Sequence, residues 1–176
     1  MQDRENEEAF RREALRCLDG LYGFALALAR DRSTAEDLVQ ETFLRALSAR
    51  RRASTGENIR GWLFTILHNV WRNEVRRRRP QAHEDANELG DNLATPDAGP
   101  EEALERNERN GRLGEAIESL PRPFREVVVL RWLEEFSYRD IAEILGCPAG
   151  TVMSRLARAR AILRRRLAPS SETGER

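Results

Sequence analysis

The feature that most constrains this fold is an acidic stretch, residues 81–99, that has almost no large apolar side chain. It reads QAHEDANELGDNLATPDAG, and a segment of this composition cannot bury enough apolar surface to fold alone. We therefore predict a flexible acidic linker over residues 81–104. It joins two small folded domains, residues 1–80 and 105–167, and we expect a disordered tail over residues 168–176.

Helical spacing runs through the first domain, where apolar side chains recur every three or four residues. A helix over residues 10–30 is predicted to turn these side chains towards a core: Leu15, Leu18, Leu21, Tyr22, Ala25, Leu26 and Leu28. A second helix begins with the capping-box pattern Ser33-Thr34-Ala35-Glu36. A third runs from about Ile59 to Arg79, and Pro80 ends it.

The second domain shows the same helical spacing, so the predicted fold class is all-α. A helix from Pro100 to Leu120 is followed by Pro121-Arg122-Pro123, which ends it. The next helix starts at Phe124, extends to about Glu135 and presents four apolar side chains: Val127, Val128, Leu130 and Leu133. No segment in the sequence gives a credible strand.

The last two predicted helices form a helix-turn-helix. Ser137 and Asp140 form a capping box, residues 146–148 make a tight turn, and a longer helix runs from about Ala149 to Leu167. One face of that helix is apolar: Val152, Leu156, Ala159 and Leu163. The opposite face and its flank carry Thr151, Ser154, Arg155, Arg158 and Arg165. Arginine and serine can address base edges and phosphates, so this outward face suits a DNA groove.

The charge of the chain is segregated along the sequence. The 30 basic and 30 acidic side chains cancel overall. Nine arginines stand against two acids in residues 50–79, and six against none in residues 151–167. Between these blocks, residues 80–110 hold two arginines and nine acids. Two separate basic surfaces for polyanions are therefore expected.

Several function classes are excluded by what the sequence lacks. Cys17 and Cys147 are far apart and show no metal-ligand spacing, and neither His68 nor His83 has a second ligand or a nucleophile nearby in sequence. Nucleotide-binding and hydrolase motifs are missing too. We predict no cofactor, no metal and no enzymatic activity. The polar, acidic N-terminus and the lack of a long apolar run predict a cytoplasmic protein with no membrane insertion.

Three segments in order resemble the extracytoplasmic-function sigma factors of the sigma-70 family. They are AEDLVQETFLRAL, NIRGWLFTILHNVWRNEVRRRR and FSYRDIAEILGCPAGTVMSRLARARAILRRRL. The resemblance implies a bacterial transcription initiation factor with a sigma-2 domain, which binds core RNA polymerase and the minus-10 element, and a helix-turn-helix sigma-4 domain, which binds the minus-35 element. It would promote promoter melting through binding alone. The main alternative is an autonomous helix-turn-helix regulator that binds an operator as a dimer.

The resemblance assigns core-polymerase binding to the second helix. Six residues would dock on the clamp helices of the beta-prime subunit: Asp37, Leu38, Gln40, Glu41, Phe43 and Leu44. Asp37 and Glu41 are four residues apart on one face and could pair with polymerase arginines. The alternative interpretation is that Leu38, Val39 and Leu44 belong to the core and that the acids are only solvated.

Minus-10 recognition is assigned by resemblance to the third helix and the loop before it. The expected residues are Asn58, Arg60, Trp62, Asn69, Arg72, Arg76 and Arg77. Trp62 shares a helical face with Ile66 and Val70, which favours a core role, and whether Trp71 stacks on DNA or packs in the core stays open. The loop over residues 53–58 would hold an extruded base, with Asn58 as its polar partner.

Minus-35 recognition is assigned to the last helix through Thr151, Ser154, Arg155 and Arg158. Met153 departs from the family pattern, which has Lys or Arg at that position. Cys147 is expected to be a small buried packing residue. The expected partners are core RNA polymerase, through the beta-prime clamp helices and the beta flap, promoter DNA, and a cognate anti-sigma factor.

Overall fold

The computed structural model describes residues 2–49, 58–78 and 108–168, and every regular element in these ranges is helical. The N-terminal half contains α1 (Gln2–Arg16), α2 (Leu18–Ala29), α3 (Arg32–Ala49) and α4 (Ile59–Arg78). The C-terminal half contains α5 (Glu108–Glu118), α6 (Arg122–Val128), a π-helical turn (Val129–Leu133), α7 (Tyr138–Leu145) and α8 (Ala149–Leu167). The all-α prediction is confirmed. The predicted linker, the start of the helix at Pro100 and residues 169–176 lie outside the described ranges.

The single helix predicted over residues 10–30 is in fact two helices that meet at Cys17. The Cys17 amide donates to the Ala14 carbonyl at 3.1 Å, a tighter turn than an α-helix makes, and the thiol donates to the Glu13 carbonyl at 3.3 Å. This break changes the direction of the apolar stripe. Leu15, 64% exposed, and Leu18 therefore lie on the surface, which corrects their predicted place in the core.

Helix α3 begins one residue earlier than the predicted capping box. The Asp31 carboxylate accepts a hydrogen bond from the Thr34 amide at 2.7 Å, so Asp31 caps the helix and not Ser33. This hydrogen bond lowers the pKa of Asp31. Aspartate is as good a cap as serine, and the sequence pattern alone does not rank the two.

The core of the N-terminal half lies between α2, α3 and α4, which pack closely on one another. Its largest buried side chains are Leu21, Phe24, Leu63, Phe64 and Leu67. Thr42 is the one hydroxyl among the largest of the described buried side chains, and it donates to the Leu38 carbonyl at 2.7 Å. That internal bond satisfies its polar group, so the threonine fits an otherwise apolar core.

The helix predicted from Phe124 to Glu135 begins at Arg122, with Pro121 at its N-cap, and ends in the π-helical turn. A π-helical turn holds one more residue than an α-helical turn and rotates the side chains after it around the helix axis. Val127, Val128 and Leu130 are buried as predicted, but Leu133 is 61% exposed. The prediction for Leu133 is corrected by this local change of helix type.

The helix-turn-helix is confirmed. The Ser137 hydroxyl accepts from the Asp140 amide and the Asp140 carboxylate accepts from the Ser137 amide, both at 3.2 Å, which completes the predicted capping box. Gly146 ends α7 with a left-handed φ of 62°, a conformation that glycine adopts without strain. On α8 the predicted apolar face is buried: Val152, Leu156, Ala159 and Leu163.

The two halves pack against each other. Helix α2 contacts α6 and the π-helical turn, and α4 contacts α7. The rings of Phe64 on α4 and Phe136, which precedes α7, meet edge to face with centroids 4.9 Å apart. Buried residues of both halves form one continuous apolar cluster. We call this contact the interface between the halves.

Candidate nucleic-acid and protein interfaces

Helix α8 presents polar side chains on the side away from its buried stripe. Ser154 and Arg158 are exposed, while Thr151 and Arg155 are half-buried. The Ser154 hydroxyl donates to the Thr151 carbonyl at 3.0 Å, and its lone pairs remain on the surface. Met153 is 51% exposed on the same helix. This surface is cationic, and the major groove of DNA is wide enough to admit an α-helix.

Arg155 lies at the flank of α8, beside the interface between the halves. Its charge acts on His68 of α4 and on Cys147 in the turn before α8. Cys147 is half-buried, and burial raises the pKa of its thiol, which agrees with a packing role. Arg155, one of the predicted minus-35 residues, therefore lies close to the N-terminal half.

Asn58 is exposed at the start of α4. Its side-chain oxygen accepts a hydrogen bond from the Gly61 amide at 3.0 Å, so this residue caps the helix. An added Cβ at Gly61 would lie 3.0 Å from the Asn58 amide nitrogen, which shows how closely the cap sits on the first turn. The rest of the predicted base-binding loop, residues 53–57, lies outside the described ranges.

Arg60 is engaged by the C-terminal half. Its Nη2 atom donates to the Glu134 carboxylate at 2.7 Å and to the Glu134 carbonyl at 2.6 Å. The guanidinium also lies over the Phe136 ring, 4.2 Å from its centroid. A side chain predicted to contact minus-10 DNA is thus held by a carboxylate and an aromatic ring in this conformation.

The two tryptophans of α4 are half-buried. Trp62 meets the ring of Phe10 edge to face at 6.2 Å and so fastens α1 to α4, as the core alternative predicted. Trp71 packs against the apolar cluster, and its indole nitrogen is buried with no hydrogen-bond partner among the described residues. The ring of Trp71 is thus partly covered by the apolar cluster in this arrangement.

The remaining polar side chains predicted for minus-10 recognition are exposed: Asn69, Arg72, Arg76 and Arg77. Glu74 stands beside the basic end of α4, 2.9 Å from Arg78 and 3.9 Å from Arg77. Arg72 points along the interface towards the turn after α7, where an added Cβ on Gly146 would be 3.9 Å from its Nη1 atom. The end of α4 therefore carries solvent-facing cations, a kind of side chain that can contact phosphates.

The residues of α3 that were predicted to bind polymerase divide between the surface and the core. Asp37, Gln40 and Leu44, the last 62% exposed, lie on the surface. Glu41 and Phe43 are half-buried, and Glu41 accepts from Arg45 at 2.6 Å. Leu38 is only 3% exposed and is corrected to a core residue. The alternative interpretation, which placed Leu38, Val39 and Leu44 in the core, is thus right for Leu38 and Val39 and wrong for Leu44.

Sequence reasoning missed the function of Arg125, which is 3% exposed. Its Nε donates to the Ala27 carbonyl at 2.5 Å, and Nη1 donates to the carbonyls of Glu118 and Leu120 at 3.0 and 2.8 Å. Burial, and next the charge of Arg30, lower the pKa of Arg125 to about 10. The arginine therefore joins α2 to the end of α5, and an arginine in an apolar run was the only signal for it.

Sequence reasoning also set His68 aside, although it is buried in the interface between the halves. Its imidazole hydrogen-bonds to the backbone of Ile144 in α7, while Nδ1 has no partner among the described residues. Burial, and then the charges of Arg72, Arg122 and Arg155, lower its pKa to about 4. The sequence gives no sign of this environment because the arginines come from three different helices.

Two further features concern other kinds of site. Among the residues that the structure describes, no cluster of three His, Cys, Asp or Glu side chains could hold a metal ion. Within the same ranges, no helix has both the length and the apolar character needed to cross a bilayer.

Comparison with known protein families gives one match in each half of the chain. The profile of Sigma-70 region 2 matches residues 14–81, and that of Sigma-70, region 4 matches residues 110–163. The first spans most of the N-terminal half and ends beyond α4, and the second includes the helix-turn-helix. An autonomous regulator would not need a region 2, so this alternative is set aside.

Relatives and solved structures cover both halves together. The chain is 38% identical over 156 residues to the ECF RNA polymerase sigma factor EcfG of Rhodopseudomonas palustris, covering 89% of this chain and 83% of that one. It is 32% identical to the RNA polymerase sigma-H factor of Pseudomonas aeruginosa, covering 94% and 90%. The sigma factor RpoE of Bartonella quintana, solved in complex with the anti-sigma factor NepR, has a TM-score of 0.73 at 32% identity, covering 91% and 97%. CnrH in complex with the cytosolic domain of CnrY has a TM-score of 0.62 at 26% identity, covering 90% and 87%.

Both sigma-70 regions occur in order on an all-helical fold, and whole-chain relatives are named ECF sigma factors. The chain therefore belongs to the extracytoplasmic-function group of the sigma-70 family and is an RNA polymerase sigma factor.

Proposed function

We propose that this sigma factor reads the minus-35 element with α8 and the minus-10 element with α4 after α3 has bound core RNA polymerase in the cytoplasm. The observation that carries the proposal is the two-sided character of α8. One side is buried throughout, and the other offers Ser154 and Arg158 to solvent without an acidic neighbour on that helix. A helix with these properties can dock by its apolar side and bind DNA with the other.

Minus-10 recognition is proposed for the exposed end of α4. Asn69 and Arg72 would contact DNA near the melted region, and Arg76 and Arg77 would hold phosphates. Arg60 joins them once it is released from Glu134. The protein needs no catalytic group for melting, because affinity for the separated strand shifts the equilibrium towards the open promoter.

Core-polymerase binding is proposed for the surface of α3. Asp37, Gln40 and Leu44 are exposed there, and Glu41 sits beside them with Arg45 as its present partner. Acids with an adjacent leucine fit basic clamp helices of the beta-prime subunit. When polymerase binds, one of its arginines would replace Arg45 as the partner of Glu41, so the Glu41 carboxylate would stay paired.

A second polymerase contact is proposed for the π-helical turn. Trp132 and Leu133 are large apolar side chains that stay exposed next to each other. Arg160 of α8 approaches the Trp132 ring to 6.0 Å from its centroid. An apolar pair with a cation beside it fits the beta flap, and aromatic residues of this kind often anchor protein interfaces.

A cognate anti-sigma factor is also proposed, since the sigma factor RpoE named above was solved in complex with the anti-sigma factor NepR. In the closed arrangement, Arg60 is bound by Glu134 and Trp71 is packed against the cluster. We infer that the halves must separate before Arg60 can contact DNA. A partner that holds the halves together would therefore keep this sigma factor inactive.

The proposal is tested by gel shift on promoter DNA with and without core polymerase. We expect specific binding only in the presence of the core enzyme. Arg158→Ala should weaken the complex by about 1–3 kcal/mol if the arginine reads a base. Arg112→Ala removes an exposed arginine on α5, outside the recognition helix, and is the matched control that should bind as the wild type does. Equal losses for both variants would contradict the assignment of α8.

A further inference from the structure

His68 occupies an unusual place for a titratable side chain. It projects from α4 into the interface between the halves and is only 6% exposed. Its hydrogen bond reaches the backbone of Ile144 in α7, on the opposite half. The state of this one imidazole is therefore coupled to whether the two halves touch.

The closed interface accommodates the neutral ring and has no place for a second proton. A neutral imidazole has one nitrogen that donates and one that accepts. With the hydrogen bond to Ile144 made at one nitrogen, Nδ1 is left buried with no partner among the described residues. A proton added there would be a buried donor without an acceptor, which destabilises the contact.

The charges around His68 act in the same direction. Arg72 comes from its own helix, Arg122 from α6 and Arg155 from α8, while α7 contributes the Ile144 backbone. Glu126, the acid on α6, lies 3.5 Å from Arg122 and is paired with it. A protonated imidazole would thus be surrounded by like charges in a water-poor site.

We propose that the interface between the halves is a pH-sensitive switch, which is closed while His68 is neutral and opens when His68 takes up a proton. The opening itself is inferred only from the surroundings of His68 in the closed interface. Its effect on transcription rests on the proposed function, because opening releases Arg60 and Arg155 for DNA.

The direction and size of the effect come from linkage. The pKa of His68 is about 4 in the closed form, below the value of about 6.5 for a free histidine. Closure is therefore fully favoured above pH 6.5 and loses free energy as the pH falls towards 4. Between about pH 7.5 and 5.5 the ratio of closed to open molecules should fall about tenfold.

Small-angle scattering of the full chain measures this opening directly. The radius of gyration should rise as the pH falls over that range, with helix content by circular dichroism unchanged. His68→Gln keeps a donor for Ile144 but cannot become charged, and it should stay closed. His83, the other histidine of the chain, lies in the predicted linker, and His83→Gln is the matched control that should open as the wild type does.

Proton NMR of the His83→Gln chain gives a second measurement, because His68 is then its one histidine. We expect a titration midpoint below that of a free histidine. An ordinary midpoint, a radius of gyration that does not change with pH in the wild type, or equal opening of the His68→Gln variant would each overturn the proposal. None of these readouts involves polymerase, so a failure here is distinct from a failure of the proposed function.

Discussion

Arg60 of α4 and Glu134, which comes directly after the π-helical turn, form a salt bridge across the interface between the halves, with Nη2 and Oε2 2.7 Å apart. Glu134 thus supplies the anion that pairs with this arginine in the closed arrangement. Gly20 of α2 lies so close that an added Cβ would be 2.5 Å from the carboxylate. The carboxylate is thus enclosed by α2 and α4 of the N-terminal half.

Glu134→Gln should favour the open form. The arginine keeps a hydrogen-bonding partner but loses the charge, and because the Arg60 side chain is over one-third exposed, solvent screening limits the effect to about 1 kcal/mol. A larger radius of gyration by small-angle scattering checks this. Glu143→Gln breaks an exposed pair with Arg139 on α7 and is the control. If both variants are equally compact, the bridge does not hold the halves together.

Asp37→Arg combined with Glu41→Arg should abolish binding to core polymerase. The substitutions reverse the charge on the α3 surface and place like charges against a basic partner. Co-purification with core polymerase measures the loss. Glu8→Arg combined with Asp19→Arg reverses two exposed acids outside α3 and should leave the yield unchanged. Wild-type yield from the α3 variant would show that another surface binds the enzyme.

Met153→Arg should raise affinity for DNA. Met153 is exposed on α8, and an added arginine there would gain about one phosphate contact, which steepens the salt dependence by about one unit. Binding measured over a series of salt concentrations checks this. Leu113→Arg adds the same charge at an exposed position of α5, outside the recognition helix, and serves as the control. An unchanged slope and affinity for Met153→Arg would mean that position 153 does not face DNA.

Arg125→Met should destabilise the protein by about 2–4 kcal/mol, because carbonyls of Ala27, Glu118 and Leu120 would lose a charged donor in a buried site. Urea unfolding of the full chain measures the change. Arg139→Met removes an exposed arginine and should cost less than about 0.5 kcal/mol. Similar midpoints for the two variants would contradict the structural role of Arg125.

Local patterns predicted the helix-turn-helix well. The apolar stripe of α8 and the Ser137–Asp140 capping box depend on residues within one or two turns, so the sequence displays them directly. The break at Cys17 and the π-helical turn were missed, since an irregular turn is selected by the packing around it and leaves the apolar spacing almost unchanged. These two irregularities are what expose Leu15 and Leu133.

The interface between the halves could not be predicted for a related reason. Arg60 was expected to meet DNA, and His68 was expected to have no role. Their partners lie beyond the linker, Glu134 for the first and Ile144 for the second. Contacts over such distances in sequence arise from tertiary structure and leave no local periodicity to detect. The family resemblance indicated which helices bind polymerase and DNA. The structure was needed to distinguish Leu38, which lies in the core, from Leu44, which lies on the surface.

The most direct test of the central claim is run-off transcription with purified core polymerase on a genomic library of promoter fragments. We predict discrete transcripts only when this chain is added, reduced for Arg158→Ala and unchanged for Arg112→Ala. Transcripts that do not depend on the chain, or a chain that binds these fragments equally well without core polymerase and yields no transcript, would contradict its action as a sigma factor through α8.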